Sequence, residues 1–201
     1  MTTLKDLMIS RVRVKIIELF FSQAEEMYFV REITRKIKEE INAVRRELDR
    51  MIGFGLLKSE QRGNRLYYYL NPKYAFYQEL RQMVAKTTGL GKEIRKFRRK
   101  LGTVQFVMFS GRFTSGQGPR RGELDALIVG DIVLPELELL VKAEEKRINR
   151  EISYTVFTPE EFEFRKTRRD PFIMDVLYSS RVMIIGSETE FVDRSVPGIA
   201  Q

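Results

Sequence analysis

The chain has 201 residues, 43% hydrophobic and 32% charged, enough for one large domain or two of about 100 residues, either able to bury a core without staples. It has no cysteine and no histidine, which excludes disulfide scaffolds, thiolate zinc sites, cysteine nucleophiles, Ser-His-Asp triads and histidine acid–base chemistry. The net charge of +8 is uneven: residues 1–101 carry 23 basic and 12 acidic side chains, residues 102–201 carry 13 and 16.

A basic half joined to a mildly acidic one suggests two modules with different partners, the first attracting polyanions. No stretch approaches the roughly 18 apolar residues that span a bilayer. The opening run MTTLKDLMISRVRVKIIELFF carries charges through its apolar part, unlike a cleaved secretory signal. No membrane partner is expected, and a cytoplasmic location is.

The first predicted helix runs from Ile9 to about Ser22, with Val12, Ile16, Ile17, Leu19 and Phe20 at helical spacing and a basic face of Arg11, Arg13 and Lys15. Tyr28-Phe29-Val30 reads as a brief extended lead into a second helix, Val30 to Lys38, with Ile33 and Ile37 inward. A third is predicted from about Asn42, a favourable N-cap, to Phe54. Its apolar stripe is Val44, Leu48, Met51 and Ile52, and its exposed face carries Ala43, Arg45, Arg46, Asp49 and Arg50. Leu56–Glu60 and Arg65–Leu70 are strand-like, joined by the turn Gln61-Arg62-Gly63-Asn64. Asn71-Pro72 ends the hairpin. Another helix follows from Tyr74 to about Thr87, with an apolar stripe of Phe76, Leu80, Met83 and Val84. After Thr88-Gly89-Leu90-Gly91, a very basic helix is predicted from Lys92 to Leu101.

The order of helix, helix, helix and hairpin is that of a winged helix-turn-helix. The segment EITRKIKEEINAVRRELDRMIGFGLLKSEQRGNRLYYYLNP resembles the DNA-binding part of ArsR-type winged-helix regulators. The resemblance implies that the third helix enters the major groove of double-stranded DNA and that the hairpin lies near the phosphates. It carries DNA contact onto Asn42, Arg45, Arg46 and Arg50 of the helix, and onto Arg62, Asn64 and Arg65 of the wing. It also implies a homodimer, for which the stripe on the Tyr74–Thr87 helix could be the surface, unless that stripe packs on its own wing. The same arginines could instead be a solvated face, and a winged helix can bind protein alone.

In the second half, Val104–Phe109 reads as a buried strand, followed by the glycine-rich SGRFTSGQGPRRG and a strand from Leu124 to Val129. A helix from Leu134 to about Glu151, a strand from Ile152 to Phe157, and a helix opened by Thr158-Pro159 come next. Helical character returns at Asp175–Tyr178, and Val182–Ile185 makes the last strand. This order resembles the small antitoxin-type nucleotidyltransferase domain of the DNA polymerase β superfamily. Gly111 and Gly116 match that family's glycine positions, Glu123 and Asp125 its first two metal-binding acids. Arg112 stands at the serine position, and Ser153 where a third acid belongs.

Two remaining carboxylates are a poor cage for two metals, so the predicted catalytic set is empty and no cofactor is expected. Gly111, Arg112, Gly116, Arg120 and Arg121 could still hold a nucleotide or another anion. The expected fold class is α+β: a winged helix-turn-helix domain over 1–88, and over 89–201 a nucleotidyltransferase-like α/β domain with a mixed sheet, catalytically degenerate. The expected function is DNA-binding transcriptional regulation by a dimer whose second domain senses a ligand, docks a partner or supports the dimer. The alternative is an active nucleotidyltransferase using Mg2+ at Glu123 and Asp125 to modify protein, RNA or a small molecule.

Overall fold

Ser10 opens the first described helix: its hydroxyl accepts from the Arg13 amide, satisfying one free N–H of the first turn. The computed structural model describes residues 10–193, so Ile9, where the sequence predicts that helix to begin, lies outside the described residues. The elements are α1 (Arg11–Ser22), β1 (Tyr28–Phe29), α2 (Val30–Ile37), α3 (Ile41–Gly53), β2 (Leu57–Arg62), β3 (Arg65–Leu70), α4 (Tyr77–Thr87) and α5 (Gly89–Lys96). They continue with β4 (Gly102–Ser110), α6 (Gly111–Thr114), β5 (Ala126–Ile132), α7 (Leu134–Ile148), β6 (Tyr154–Phe157), α8 (Pro159–Thr167), α9 (Pro171–Tyr178), β7 (Arg181–Ile185) and α10 (Glu188–Val192). The chain is mixed α/β and divides into two units. One holds the residues up to Thr88 together with Thr114–Gln117, and the other holds Gly89–Phe113 and the residues from Gly118 on.

In the first unit, helical spacing brings Val14, Ile17, Phe20 and Phe21 of α1 onto Ile33, Val44, Leu48 and Met51. Leu57, Tyr68 and Leu70 cover the same core from a three-stranded antiparallel sheet in the order β1-β3-β2. Leu48 is fully buried, so truncation to alanine would cost about 2–5 kcal/mol. The hairpin is tighter than the sequence suggests: Arg62 pairs with Arg65, leaving a two-residue turn of Gly63 and Asn64. Gly63 has a φ of +58°, as a hairpin turn of this length requires at its first position.

The predicted cap of α3 is corrected. Glu40, not Asn42, is the N-cap, and its carboxylate accepts from the Asn42 and Ala43 amides, both at 2.8 Å. A carboxylate there also sits favourably at the positive end of the helix dipole. The cations of the basic face of α1 are tied to acids. Arg13 Nε donates to the buried Glu47 at 2.8 Å, Lys15 Nζ to Glu39 at 2.6 Å, and Arg11 lies 3.3 Å from Glu39. Helix α4 begins at Tyr77 rather than Tyr74, since Tyr74 and Tyr77 close turns on Asn71 and Tyr74.

The second unit is built on a four-stranded mixed sheet in the order β6-β5-β4-β7. β4 runs antiparallel to β5 and β7, and β5 parallel to β6. Phe106, Leu127, Val129, Phe162, Ile173 and Phe191 form the core of one face. The predicted basic helix over 92–101 is corrected: α5 starts at Gly89 and ends at Lys96. Beyond it the Lys100 and Leu101 amides both donate to the Phe97 carbonyl, and Gly102, at φ +94°, starts β4. Helix α7 stops at Ile148 because Asn149 adopts the left-handed conformation, φ 54°.

Candidate functional site

Two neighbourhoods hold the residues singled out by sequence. In the first unit, period 3.6 turns Val44, Leu48 and Met51 inward and leaves Asn42, Arg45, Arg46, Asp49 and Arg50 exposed on α3. Among the described residues no ion pair engages Arg45 or Arg46, although their charges add to the Asn42 and Ala43 amide hydrogen bonds that hold the Glu40 carboxyl below the usual range. Arg50 is less free: its guanidinium donates to Glu47 at 3.0 Å while staying mostly exposed.

Glu47 ties this helix to α1. It accepts from Ser10 Oγ at 2.9 Å, from Arg13 and from Arg50. Burial pushes its carboxyl up, but hydrogen bonds from Arg13 and Ser10 and the charges of Arg13 and Arg50 outweigh that and hold it low. Glu39 is also held low, first by its hydrogen bond from Lys15. Carboxylates depressed in the folded chain add stability above their ordinary pKa near 4.3, and that stability is lost as pH falls through the folded values. With no histidine or cysteine in the chain, a thermal-melt series is expected to be nearly flat from about pH 6 to 8 and to fall below about pH 4.5. Glu47→Gln is expected to lower the neutral-pH melt by about 1–2 kcal/mol of stability and to shallow the acid slope. On the alkaline side Tyr28, pushed up to about 12 by burial and by Glu26 and Glu32, holds stability that is lost between about pH 10 and 12.

On the hairpin, Arg62 donates to the exposed Glu60 at 3.0 Å, and Asn64 occupies the exposed turn. Arg65 places its guanidinium over the Phe29 ring, 4.7 Å from the centroid. A cavity of about 350 Å³ in the same unit is lined by Arg13, Ile17, Phe54, Leu56, Tyr74, Phe76, Glu79, Leu80 and Met83. That volume lies in the range of small-molecule sites.

The second neighbourhood is the start of β5. Asp125 and Glu123 do not sit together on a strand, because β5 begins only at Ala126 and Glu123 closes a turn, its amide donating to the Arg120 carbonyl. Asp125 is fully buried. Arg150 grips both its oxygens, Nη1 to Oδ2 at 2.7 Å and Nη2 to Oδ1 at 3.0 Å, and the Ser153 amide donates to Oδ2 at 3.1 Å. Arg150 also lies 5.4 Å from the centre of the Phe113 ring. Glu123 is exposed, accepts from the Arg120 amide at 3.0 Å, and pairs with Arg112 at 3.6 Å. Arg112 Nε is spent on the Gly118 carbonyl at 2.9 Å, while Arg120 and Arg121 are exposed.

Gly111, the first residue of α6, and Gly116, in the loop after it, answer packing needs. Gly111 donates to the Ser180 carbonyl at 2.7 Å, and a Cβ there would meet Ser180 Oγ. Gly116, at φ +79°, belongs to the stretch grouped with the first unit, where the Ala24 amide donates to the Ser115 carbonyl. Among the described residues no group of three or more Asp, Glu, His or Cys side chains gathers where it could hold a metal ion.

Sequence reasoning missed Arg150 and Glu47, whose partners Asp125, and Ser10 and Arg13, lie 25 to 37 residues away. The signal available was chemical: a carboxylate flanked by apolar residues, as in Leu124-Asp125-Ala126, needs a cation if it is buried. Comparison of the chain with protein-family models, with curated proteins and with solved structures returns no match.

Proposed function

We propose that the chain is a DNA-binding transcriptional regulator: a winged helix-turn-helix unit of the ArsR type that reads duplex DNA, joined to a noncatalytic nucleotidyltransferase-like unit. The observation that carries the proposal is α3, whose outward face presents Asn42, Arg45 and Arg46 with both guanidiniums outside any ion pair among the described residues. A helix fits the major groove, where arginine can grip the O6 and N7 of guanine or a phosphate. The hairpin adds Arg62, Asn64 and Arg65 beside the backbone, while Arg50 is held by Glu47 and serves as a flanking phosphate contact.

As a homodimer in the cytoplasm the regulator would set two such helices about 34 Å apart and favour a palindromic site. Among the described residues no helix is long and apolar enough to cross a membrane. The noncatalytic reading of the second unit rests on Asp125, whose two oxygens are taken by Arg150 and Ser153. The fit to a pair of magnesium ions is therefore poor.

Fluorescence anisotropy with labelled duplex DNA at several salt concentrations tests the first unit. Affinity should fall linearly in log–log form, with a slope near −0.9 per phosphate contacted. Salt-independent binding, or none at low salt, would sink the proposal. Calorimetry with magnesium and each nucleoside triphosphate tests the second: no metal-dependent nucleotide binding is expected, and a clear isotherm would restore the enzyme alternative.

A further inference from the structure

We propose that the outward face of the three-stranded sheet is a stacking platform for an extended, unpaired strand of nucleic acid, distinct from the face of α3 but sharing Arg62 and Arg65 with the hairpin's duplex contacts. An antiparallel sheet that covers a core on one side ordinarily alternates apolar-in with polar-out. β3 breaks this rule. Tyr68 and Leu70 face the core, yet Tyr67 and Tyr69, of opposite parity, are aromatic as well. Phe29 of β1 stands directly across from Tyr67, and the two rings meet edge to face at 5.8 Å.

The same face carries cations. Across β2 the register sets Lys58 opposite Tyr69 and Arg62 opposite Arg65, all on the outward side. The register, Arg62 with Arg65, Glu60 with Tyr67 and Lys58 with Tyr69, puts Arg62, Tyr67 and Tyr69 on one face of the sheet. The single acid among them, Glu60, is already paired with Arg62. Arg65 is exposed and lies over Phe29, and a guanidinium is itself a flat stacking surface. Half-exposed rings rimmed by lysine and arginine fit the chemistry of a polyanion with exposed π-faces, which is a single strand.

Spacing decides against a duplex. Tyr67 and Tyr69 are two residues apart on one strand, hence about 6.8 Å along it. Stacked bases in a duplex are about 3.4 Å apart and hide their faces. Rings at twice that distance can each take a base only if the bases are splayed from one another. The face therefore suits an extended strand of DNA or RNA, and a two-ring platform has little sequence preference.

The test is anisotropy with labelled oligo(dT) and oligo(U) of roughly 10 nucleotides, alongside a duplex of mixed sequence. The full chain should bind the single strands. Tyr67→Ala with Tyr69→Ala should weaken that binding by about 5- to 150-fold per ring, whereas Tyr67→Phe with Tyr69→Phe should retain it. Arg45→Ala with Arg46→Ala should leave single-strand binding nearly unchanged, so the failure of duplex reading and the failure of the platform are separable. Absence of single-strand binding at low salt, equal losses for duplex and single strand in the alanine variant, or no loss at all would each overturn the proposal. Photocrosslinking of the unaltered chain to iodouracil-containing oligonucleotide guards against a folding defect in the variants: adducts are expected at Tyr67 or Tyr69, and adducts confined to other residues would overturn the assignment.

Discussion

Replacing Arg45 and Arg46 together by alanine is expected to weaken duplex binding by at least about 30-fold while leaving the melting temperature nearly unchanged. Each guanidinium, if it grips a guanine edge, supplies about 1–3 kcal/mol of discrimination, and two such losses compound. If they grip phosphates instead, the affinity loss is more uniform across sequences, and the salt slope shrinks by about 1 per arginine. The structure makes the experiment clean because both side chains are exposed and carry no packing role. Surface changes of that kind shift stability by no more than about 0.5 kcal/mol. Arg50→Ala is a useful contrast. Arg50 is anchored to Glu47, which Arg13 and Ser10 also hold, so its loss should cost less affinity and somewhat more stability. Unchanged affinity in the double variant at fixed salt would remove α3 from the interface.

The elements were legible where pattern is local. The stripe of Val44, Leu48 and Met51 announces α3, and a glycine followed by asparagine announces the hairpin, because period and turn chemistry act within a few residues. Legibility failed at positions decided by reach. Asn42 is the better cap by residue preference, yet the longer Glu40 side chain bends forward to two amides and moves the helix start. The run from Lys92 to Lys100 has good helix formers throughout, but Gly102 is claimed by β4, which pairs it with Ile132, and the chain must turn after Lys96 to get there. The ion pairs of Arg11, Arg13 and Lys15 were not legible because their acids, Glu39 and Glu47, lie more than twenty residues away. The aromatic outer face of β3 was written in RLYYYL all along, and only the register against β1 and β2 shows which tyrosines the core leaves over.

Arg150→Ala is expected to destabilise the second unit by about 3 kcal/mol, read as an earlier thermal or denaturant transition. Asp125 is fully buried, whereas Arg150 is about one-quarter exposed at 26%. Removing the arginine therefore strands a carboxylate in the interior, and losses of about 3–5 kcal/mol follow from breaking a buried pair that way. Asp125→Asn should cost less, about 1–2 kcal/mol, because the amide oxygen can still accept from Ser153 while Arg150 keeps its bond to the Glu151 carbonyl and its access to water. That ordering separates two views of Asp125. If its carboxylate is a structural clamp joining the start of β5 to the segment before β6, the arginine variant is the more damaged of the two, and added magnesium does not rescue it. If the carboxylate is a metal ligand that Arg150 merely occupies, the arginine variant should regain stability with magnesium and begin to bind nucleotide. Duplex binding by Asp125→Asn should stay within about twofold of the unaltered chain, since substitutions in separate units add independently. Rescue by magnesium would return Glu123 and Asp125 to the metal role that the superfamily resemblance assigns them.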